Sequence, residues 1–238
     1  MTENQRHQRS ELLFGEGASS VLKNARVAVF GLGGVGSYAT EALARMGVGH
    51  LALFDGDVYA ESNLNRQLYA MPSTLGMPKV EAARAHILAL DPTLSVEAHT
   101  LFLTPALVEE MDFSSYDYLL DAVDTVSVKV ALAVLADKIG IPLISAMGAA
   151  NKTDPTAFRV ADIYKTKVCP LARLMRTSLR KAGVKGLKVV YSEEEPVPSP
   201  QRDTGKAGLG SCSFVPSAMG LMMAGEAIKD LLRQGKSN

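Results

Sequence analysis

The hydrophobic pattern is organised around one early stretch. Arg26-Val27-Ala28-Val29-Phe30 is an apolar, partly β-branched run that gives way to Gly31-Leu32-Gly33-Gly34-Val35-Gly36. Ala39, Ala42, Leu43 and Met46 then recur at helical spacing, and a second apolar run, Leu51-Ala52-Leu53-Phe54, ends on the acid Asp55. Short apolar runs bounded by glycine predict buried strands, and the i, i+3, i+4, i+7 recurrence predicts an amphipathic helix. The predicted order is therefore strand, glycine loop, helix, strand, carboxylate.

The same reading carries along the chain. Ser10 to Asn24 predicts an amphipathic helix with Leu12, Leu13, Val21 and Leu22 on its apolar side, weakened at Gly15 and Gly17. Val58 to Leu68 is a polar connection, longer than a plain strand-to-helix crossover needs. A helix runs from Pro78 or Lys79 to Leu90 and stops at Asp91-Pro92. Leu94 to Leu103 alternates as a strand, Pro105 to Met111 is helical, Tyr116 to Val123 is a buried strand, Ser127 to Ile139 a helix, and Ile141 to Ser145 a strand. Such alternation predicts an α/β fold with a Rossmann-like, doubly wound, mostly parallel sheet.

Beyond Gly148 the rhythm changes. Ala157 to Ile163 and Lys188 to Tyr191 read as short strands, Cys169 to Lys181 as a basic helix, Glu193 to Gly210 as a long polar loop that covers a substrate, and Val215 to Leu232 as a closing amphipathic helix. The expectation is one domain over residues 1–238, with a nucleotide-binding core over 1–150 and a substrate-side extension over 151–238.

Composition narrows the classes. Lys plus Arg and Asp plus Glu are 25 each, so any basic surface has to be local. No apolar run approaches the roughly 18 residues that span a bilayer, and the N-terminal residues lack a signal-peptide core. These point to a cytoplasmic protein with no stable membrane insertion; Met219, Met222 and Met223 in the closing helix read as core. Cys169 and Cys212 are the only cysteines, and His7, His50, His86 and His99 are scattered, so a zinc site is not expected.

A glycine loop of this kind leaves NAD, FAD and ATP all open. Asp55 lies where a carboxylate accepts hydrogen bonds from ribose hydroxyls. Asp57, Asn65, Arg66 and Lys79 cluster downstream, and Asp124 falls at the carboxyl end of a predicted strand, where open α/β sheets bind ligands. Two cations offset the charge that builds when the α-phosphorus of a triphosphate is attacked, and an acid at a strand end can hold magnesium. A nicotinamide oxidoreductase or a non-catalytic nucleotide sensor leaves that set without a use.

Gly31 to Gly36, Asp55-Gly56-Asp57, Ser62-Asn63-Leu64-Asn65-Arg66-Gln67, Gly76-Met77-Pro78-Lys79 and Asp121-Ala122-Val123-Asp124 together resemble the ThiF/MoeB/HesA, ubiquitin-activating-like superfamily of adenylating enzymes. The resemblance implies ATP and magnesium as cofactors. It implies nucleotide contacts from Gly31, Gly33, Gly34, Gly36, Asp55, Asp57, Asn63, Asn65, Arg66, Gln67, Lys79 and Asp124. Within that set Asp55 serves the ribose, Asn65, Arg66 and Lys79 the phosphates, and Asp124 the metal. Arg66, Lys79, Asp124 and Arg9 are the implied catalytic set. Arg9, in Arg6-His7-Gln8-Arg9, resembles an N-terminal Arg-x-x-Arg that reaches into a partner subunit's site, so a homodimer is implied as well.

Members of the superfamily activate a carboxylate as an acyl-adenylate. Asp154 to Asp162, Pro170 to Arg176 and Gly208-Leu209-Gly210-Ser211-Cys212 resemble the bacterial tRNA threonylcarbamoyladenosine dehydratase branch, which implies a carboxylate on a modified adenosine of tRNA. The alternative is the C-terminal glycine of a ubiquitin-like sulfur carrier, as for ThiF and MoeB; the absence of C-x-x-C pairs weakens it. A sulfur-relay protein is a further candidate partner.

An independent feature favours RNA. From Ile163 to Ser192 there is no acid, yet Lys165, Lys167, Arg173, Arg176, Arg180, Lys181, Lys185 and Lys188 fall there. Arg173, Arg176 and Arg180 share a helix face, which predicts a phosphate-binding surface; the bland alternative is an ordinary solvated face. Cys212 precedes a helix and is a candidate sulfur or acyl acceptor, but a small residue beside Ser211 and Ser213 at a helix start is more often packing, and an intramolecular ring closure needs no enzyme nucleophile.

Overall fold

A computed structural model describes residues 3–198 and 209–235. The chain opens with α1 (Glu3–Arg6), α2 (Gln8–Phe14) and α3 (Ala18–Asn24). It continues through β1 (Arg26–Phe30), α4 (Gly36–Arg45), β2 (His50–Phe54), α5 (Lys79–Leu90), β3 (Ser95–His99), α6 (Pro105–Glu110) and β4 (Tyr118–Asp121). Then come α7 (Val126–Ile139), β5 (Leu143–Ala146), β6 (Phe158–Asp162), α8 (Pro170–Lys181), β7 (Lys188–Ser192) and the closing α9 (Phe214–Gln234).

Among the described residues the strands form a seven-stranded sheet in the order β3-β2-β1-β4-β5-β7-β6. The β6–β7 pair is antiparallel and the others are parallel. The winding direction reverses between β1 and β4, and the carboxyl ends of those strands border the crevice where such sheets bind ligands.

Both faces of the sheet are covered, which is why its strands read as unbroken apolar runs rather than alternating ones. Val27 and Val29 of β1 point into a core completed by α3, α4, α5 and α9. Ala28 and Phe30, one residue out of phase, point into the opposite core with α6, α7 and α8. Helix α9 crosses α4 so closely that a Cβ at Gly220 would lie 2.2 Å from the Val35 carbonyl oxygen. Met219 and Met223 are fully buried in that contact. Among the described residues no helix is long and apolar enough to cross a membrane.

The N-terminal helix breaks where its glycines weaken the pattern, at Gly15 and Gly17, whose φ angles of +100° and +85° favour glycine. Two expectations are corrected, the apolar face of its first part and the length of the third strand. The break turns α2 away from the core, so Leu22 is buried whereas Leu12 and Leu13 are 82% and 75% exposed. The alternating run from Leu94 ends as a strand at His99; Leu101, Phe102 and Leu103 lie in the following loop and wall a cavity. In the polar loop after β7, residues 199–208 lie outside the described residues. The N-terminal arm is tied to the body by an Arg6–Asp91 ion pair. Burial pushes the Asp91 carboxyl up, but the Arg6 guanidinium and the hydrogen bonds from Thr93 prevail and hold it down to about 2.

Candidate functional site

The glycine loop is shaped by backbone crowding. Gly31 has a φ of +86°, and a Cβ there would sit 2.7 Å from the Ala122 carbonyl oxygen; at Gly36 it would sit 1.7 Å from the Gly31 carbonyl oxygen. The loop thus folds onto itself and against the end of β4 in a way that side chains would block. A Cβ at Gly33 would meet nothing nearer than Gln67 at 3.9 Å, so the space over the loop is open to a ligand. Helix α4 starts there without a side-chain cap. The Ser37 N–H is taken by the Gly33 carbonyl at 3.1 Å, and the other N–H groups at this helix start favour an anion. Asp55, at the end of β2, accepts from the Leu32 N–H at 2.6 Å and from the Asp57 N–H at 2.8 Å. One carboxylate thereby fixes the loop and the turn that carries Asp57.

The cations come from the polar connection and from the first turn of α5. Arg66 donates to the Ser62 carbonyl at 2.7 Å and to Asn65 Oδ1 at 2.8 Å. Asn65 donates in turn to the Ser211 carbonyl at 3.2 Å. Asn65 is therefore a splint between Arg66 and the approach to α9, and the cavity wall is formed by Asn63, Arg66 and Gln67 instead. Asn63 accepts from the Ala60 N–H at 3.0 Å, which closes the turn that carries them. Lys79 is buried and its Nζ lies 2.9 Å from Asp57 Oδ2.

The end of β4 is held by a buried ion pair that the sequence reading missed. Lys129 on α7 lies 2.9 Å from Asp121, both fully buried, and also donates to the Val123 carbonyl at 3.2 Å. Ser145 donates to Asp121 Oδ2 at 2.5 Å, and the Val123 N–H donates to Asp121 Oδ1 at 3.2 Å. These bonds fix the three residues before Asp124, whose exposed carboxylate stands on the cavity wall. The signal was present: Lys129 is a lysine on the apolar side of a helix, beside Val128, Leu132 and Ala133.

Gly31, Gly33, Gly34, Asp55, Asp57, Asn63, Arg66, Gln67, Lys79 and Asp124 share one cavity of about 980 Å³, near the upper end of the range for ligand sites. Gly36 shapes the loop from behind. Among the described residues no group of three or more His, Cys, Asp and Glu gathers as a metal centre. Asp57 and Asp124 nevertheless suit magnesium, which takes one or two carboxylates and completes its shell with phosphate oxygens and water. Arg9 is exposed on α2 and does not wall this cavity.

The far half of the cavity is built from Ala146–Lys152, Cys169–Leu171, Pro196, Leu209 and Ser211. Its frame is Asn151, whose Oδ1 accepts from the Gly210 N–H at 2.6 Å while its own N–H donates to the Gly210 carbonyl at 2.8 Å. The Val197 N–H donates to the Asn151 carbonyl at 2.7 Å. The Glu194 carboxylate accepts from both the N–H and hydroxyl of Thr153 and from the Asp154 N–H. Burial raises the Glu194 carboxyl, but these bonds and the Lys152 charge hold it below the usual range.

The basic stretch divides in two. Arg176 is bound to the carbonyl and hydroxyl of Thr166, Arg180 lies over the Tyr164 ring at 5.2 Å, and Lys188 pairs with Asp230 at 2.6 Å and Glu226 at 3.4 Å. Arg176 and Lys188 are thus parts of the fold, which corrects the picture of three equivalent arginines on one face. Lys165, Lys167, Arg173, Lys181 and Lys185 stand exposed around a helix whose first turn walls the cavity. Cys212 is half-buried, its Sγ 4.0 Å from the Lys152 carbonyl oxygen, and Cys169 is buried.

Comparison with known proteins agrees with this geometry. The ThiF family model matches residues 6–238. A tRNA threonylcarbamoyladenosine dehydratase of Bacillus subtilis is 44% identical, the match covering 94% of each chain. The dehydratase of the same name from Escherichia coli is 32% identical over 94% of this chain and 93% of its own. The E. coli enzyme solved with ATP superposes with a TM-score of 0.89 at 32% identity, covering 99% of this chain and 97% of that one. A matched family model across almost the whole length, on a sheet, glycine loop and cation set of this form, settles the assignment: the chain belongs to the ThiF family.

Proposed function

We propose that the chain, working as one adenylating domain, activates the threonine carboxylate of N6-threonylcarbamoyladenosine in tRNA with ATP and then closes it into a ring. A carboxylate oxygen attacks the α-phosphorus of ATP, the bond from that phosphorus to the β-phosphate bridging oxygen breaks, and pyrophosphate leaves. The ureido nitrogen then attacks the acyl carbon, AMP leaves with the carboxylate oxygen, and the nitrogen gives up its proton; the net change is loss of one water from the nucleoside.

In this reading Asp55 holds the ribose, the glycine loop and the start of α4 hold phosphate, and Arg66 and Lys79 stabilise charge gathering on the α-phosphate. Asp124, with Asp57, would hold magnesium, which supplies further charge neutralisation on the triphosphate. The observation that carries the reading is the shared cavity. Its phosphate-binding half adjoins a second half walled by the first turn of α8, whose surroundings expose Lys165, Lys167, Arg173, Lys181 and Lys185. Such a strip suits an RNA backbone. The protein-carrier alternative has no comparable support, since relatives matched over nearly the full chain carry the dehydratase name.

A homodimer is part of the proposal. Arg9 and the exposed Leu12 and Leu13 lie together on α2, an apolar face with a cation beside it that suits a second copy of the chain. Cys212 is read as packing, since ring closure requires no enzyme nucleophile.

The test is AMP release from ATP and magnesium with tRNA carrying threonylcarbamoyladenosine, beside the same tRNA without it, followed by nucleoside mass analysis. The expected outcome is AMP with modified tRNA alone and a nucleoside lighter by one water. AMP formed only on addition of a carrier protein ending in Gly-Gly would overturn the reading.

A further inference from the structure

Lys152 is a buried charge that forms no ion pair among the described residues. It is 4% exposed, and its Nζ donates to one described acceptor, the Glu194 carbonyl. An ammonium carries three N–H donors, so two are unspent among the described residues. The nearby Glu194 carboxylate is committed to Thr153 and Asp154, and forms no ion pair with Lys152 among the described contacts. Buried charges persist in proteins when they are paired, and isolating one from water is costly. The Glu194 charge is near enough to be felt but its oxygens are spent on other donors, and the two remaining N–H groups of Lys152 point to an anionic ligand.

The place of the side chain says which anion. Lys152 lines the far half of the main cavity and also the wall of a smaller cavity of about 310 Å³ beside Cys212 and Phe214. It is linked to the phosphate-binding cations through a short series of contacts. Arg66 is bound to Asn65, Asn65 to the Ser211 carbonyl, and the next residue, Cys212, touches the Lys152 carbonyl. Lys79, Arg66 and the glycine loop already serve phosphate on the near side. A second cation across the same space, beside the phosphate site and apart from it, suits the other anion of the reaction.

We propose that Lys152 receives the carboxylate of the acceptor and holds it facing the α-phosphate, acting as a positioning and specificity residue. This rests on the adenylation reading above and adds the group that tells an acid from its neutral analogue. Glu194 and Asn151 are its supports: the first presents the carbonyl that orients Nζ, and the second fixes both ends of the loop that carries Glu194 and Leu209.

The test uses the full-length protein and two variants, Lys152→Met, which keeps length and removes charge, and Lys152→Arg, which keeps charge. Competition against AMP release is measured with the free nucleoside N6-threonylcarbamoyladenosine and with its methyl ester. Wild type should prefer the acid by about tenfold or more, the gain expected of hydrogen bonds to a charged group. Lys152→Met should lose that preference and raise KM for modified tRNA by a similar factor with KM for ATP within twofold, and Lys152→Arg should restore most of it. Retained discrimination in Lys152→Met, or a matching rise in KM for ATP, would overturn the proposal, the second because it would assign Lys152 to the nucleotide. A wild type that makes no AMP with modified tRNA would instead sink the reaction reading. Loss of both discrimination and thermal stability in Lys152→Met, without rescue by arginine, would make the residue structural and also overturn the proposal.

Discussion

The two halves of the cavity are built differently. The nucleotide half consists of strand ends, helix starts and the polar connection, with its groups committed to one another over short chain distances: Asp55 to Leu32 and Asp57, Lys79 to Asp57, Arg66 to Ser62 and Asn65. The acceptor half is built from loops clamped over long ones: Asn151 to Gly210, Lys152 and Thr153 to Glu194. A half on regular elements can be rigid before ligand binds, as charge stabilisation demands. A half on loops can be changed without disturbing the sheet, which is how one fold serves different acceptors.

Substitutions should separate the halves. The largest effect is expected at Gly36→Ala, where the new methyl group meets backbone at 1.7 Å and neither chain segment can give way. Loss of about 4 kcal/mol or more of stability should follow, seen as failure to fold or a collapsed melting transition; a wild-type melting curve would contradict the close approach. Next comes Lys79→Met, which should cut AMP release by about 10²–10³-fold, the usual effect of removing one charge-stabilising donor. Its melting temperature should stay near wild type, because Asp57 is largely exposed and can be hydrated when left alone.

Asn151→Gly tests the acceptor half. Asn151 has a φ of +55°, which glycine adopts without strain, so this change removes the amide clamp and keeps the backbone. KM for modified tRNA should rise about three- to tenfold with KM for ATP unchanged. Equal rises in both would mean that the two halves do not act separately.

Outside both halves, the Arg6–Asp91 pair makes an acid-range prediction. The folded carboxyl is depressed to about 2, below the ordinary aspartate range, so its stabilisation is present above about pH 4 and disappears as pH falls toward 2. With Arg6 partly exposed, the contribution is about 1 kcal/mol. Unfolding free energies of wild type and Asp91→Asn should differ above pH 4 and converge near pH 2; a constant gap would rule out the ion pair as the cause. The smallest effect is expected at Cys212→Ser, with turnover changed less than about twofold, whereas abolished turnover would make the thiol a participant.

How far the site was legible follows the same division. The glycine loop, Asp55 and Asp124 could be proposed because they sit at turns and strand ends that the hydrophobic pattern marks, whereas the roles of Arg66 and Lys79 came from the family resemblance; the structure brings all of them to one cavity. Asn65 was expected at the phosphates; its bond to Ser211, 146 residues away, was not legible. Arg176 and Lys188 looked like surface cations on a helical wheel and in an acid-free stretch; their partners, Thr166 and Asp230, come from other elements. Leu12 and Leu13 read as buried because periodicity says which residues share a face and not what that face meets.

By itself the sequence determined the parallel α/β sheet, the phosphate loop and the set of cations and carboxylates around it. Apolar periodicity and glycine placement act over a few residues, and local sterics and burial dictate them. Only the tertiary structure decided that Lys129 and Asp121 pair beneath Asp124, that Asn151 fastens the loops of the far half of the cavity, and that Lys152 is buried with one acceptor among the described residues. Those facts depend on which segments the fold brings together, and chain-closure across tens of residues leaves no period in the sequence to read.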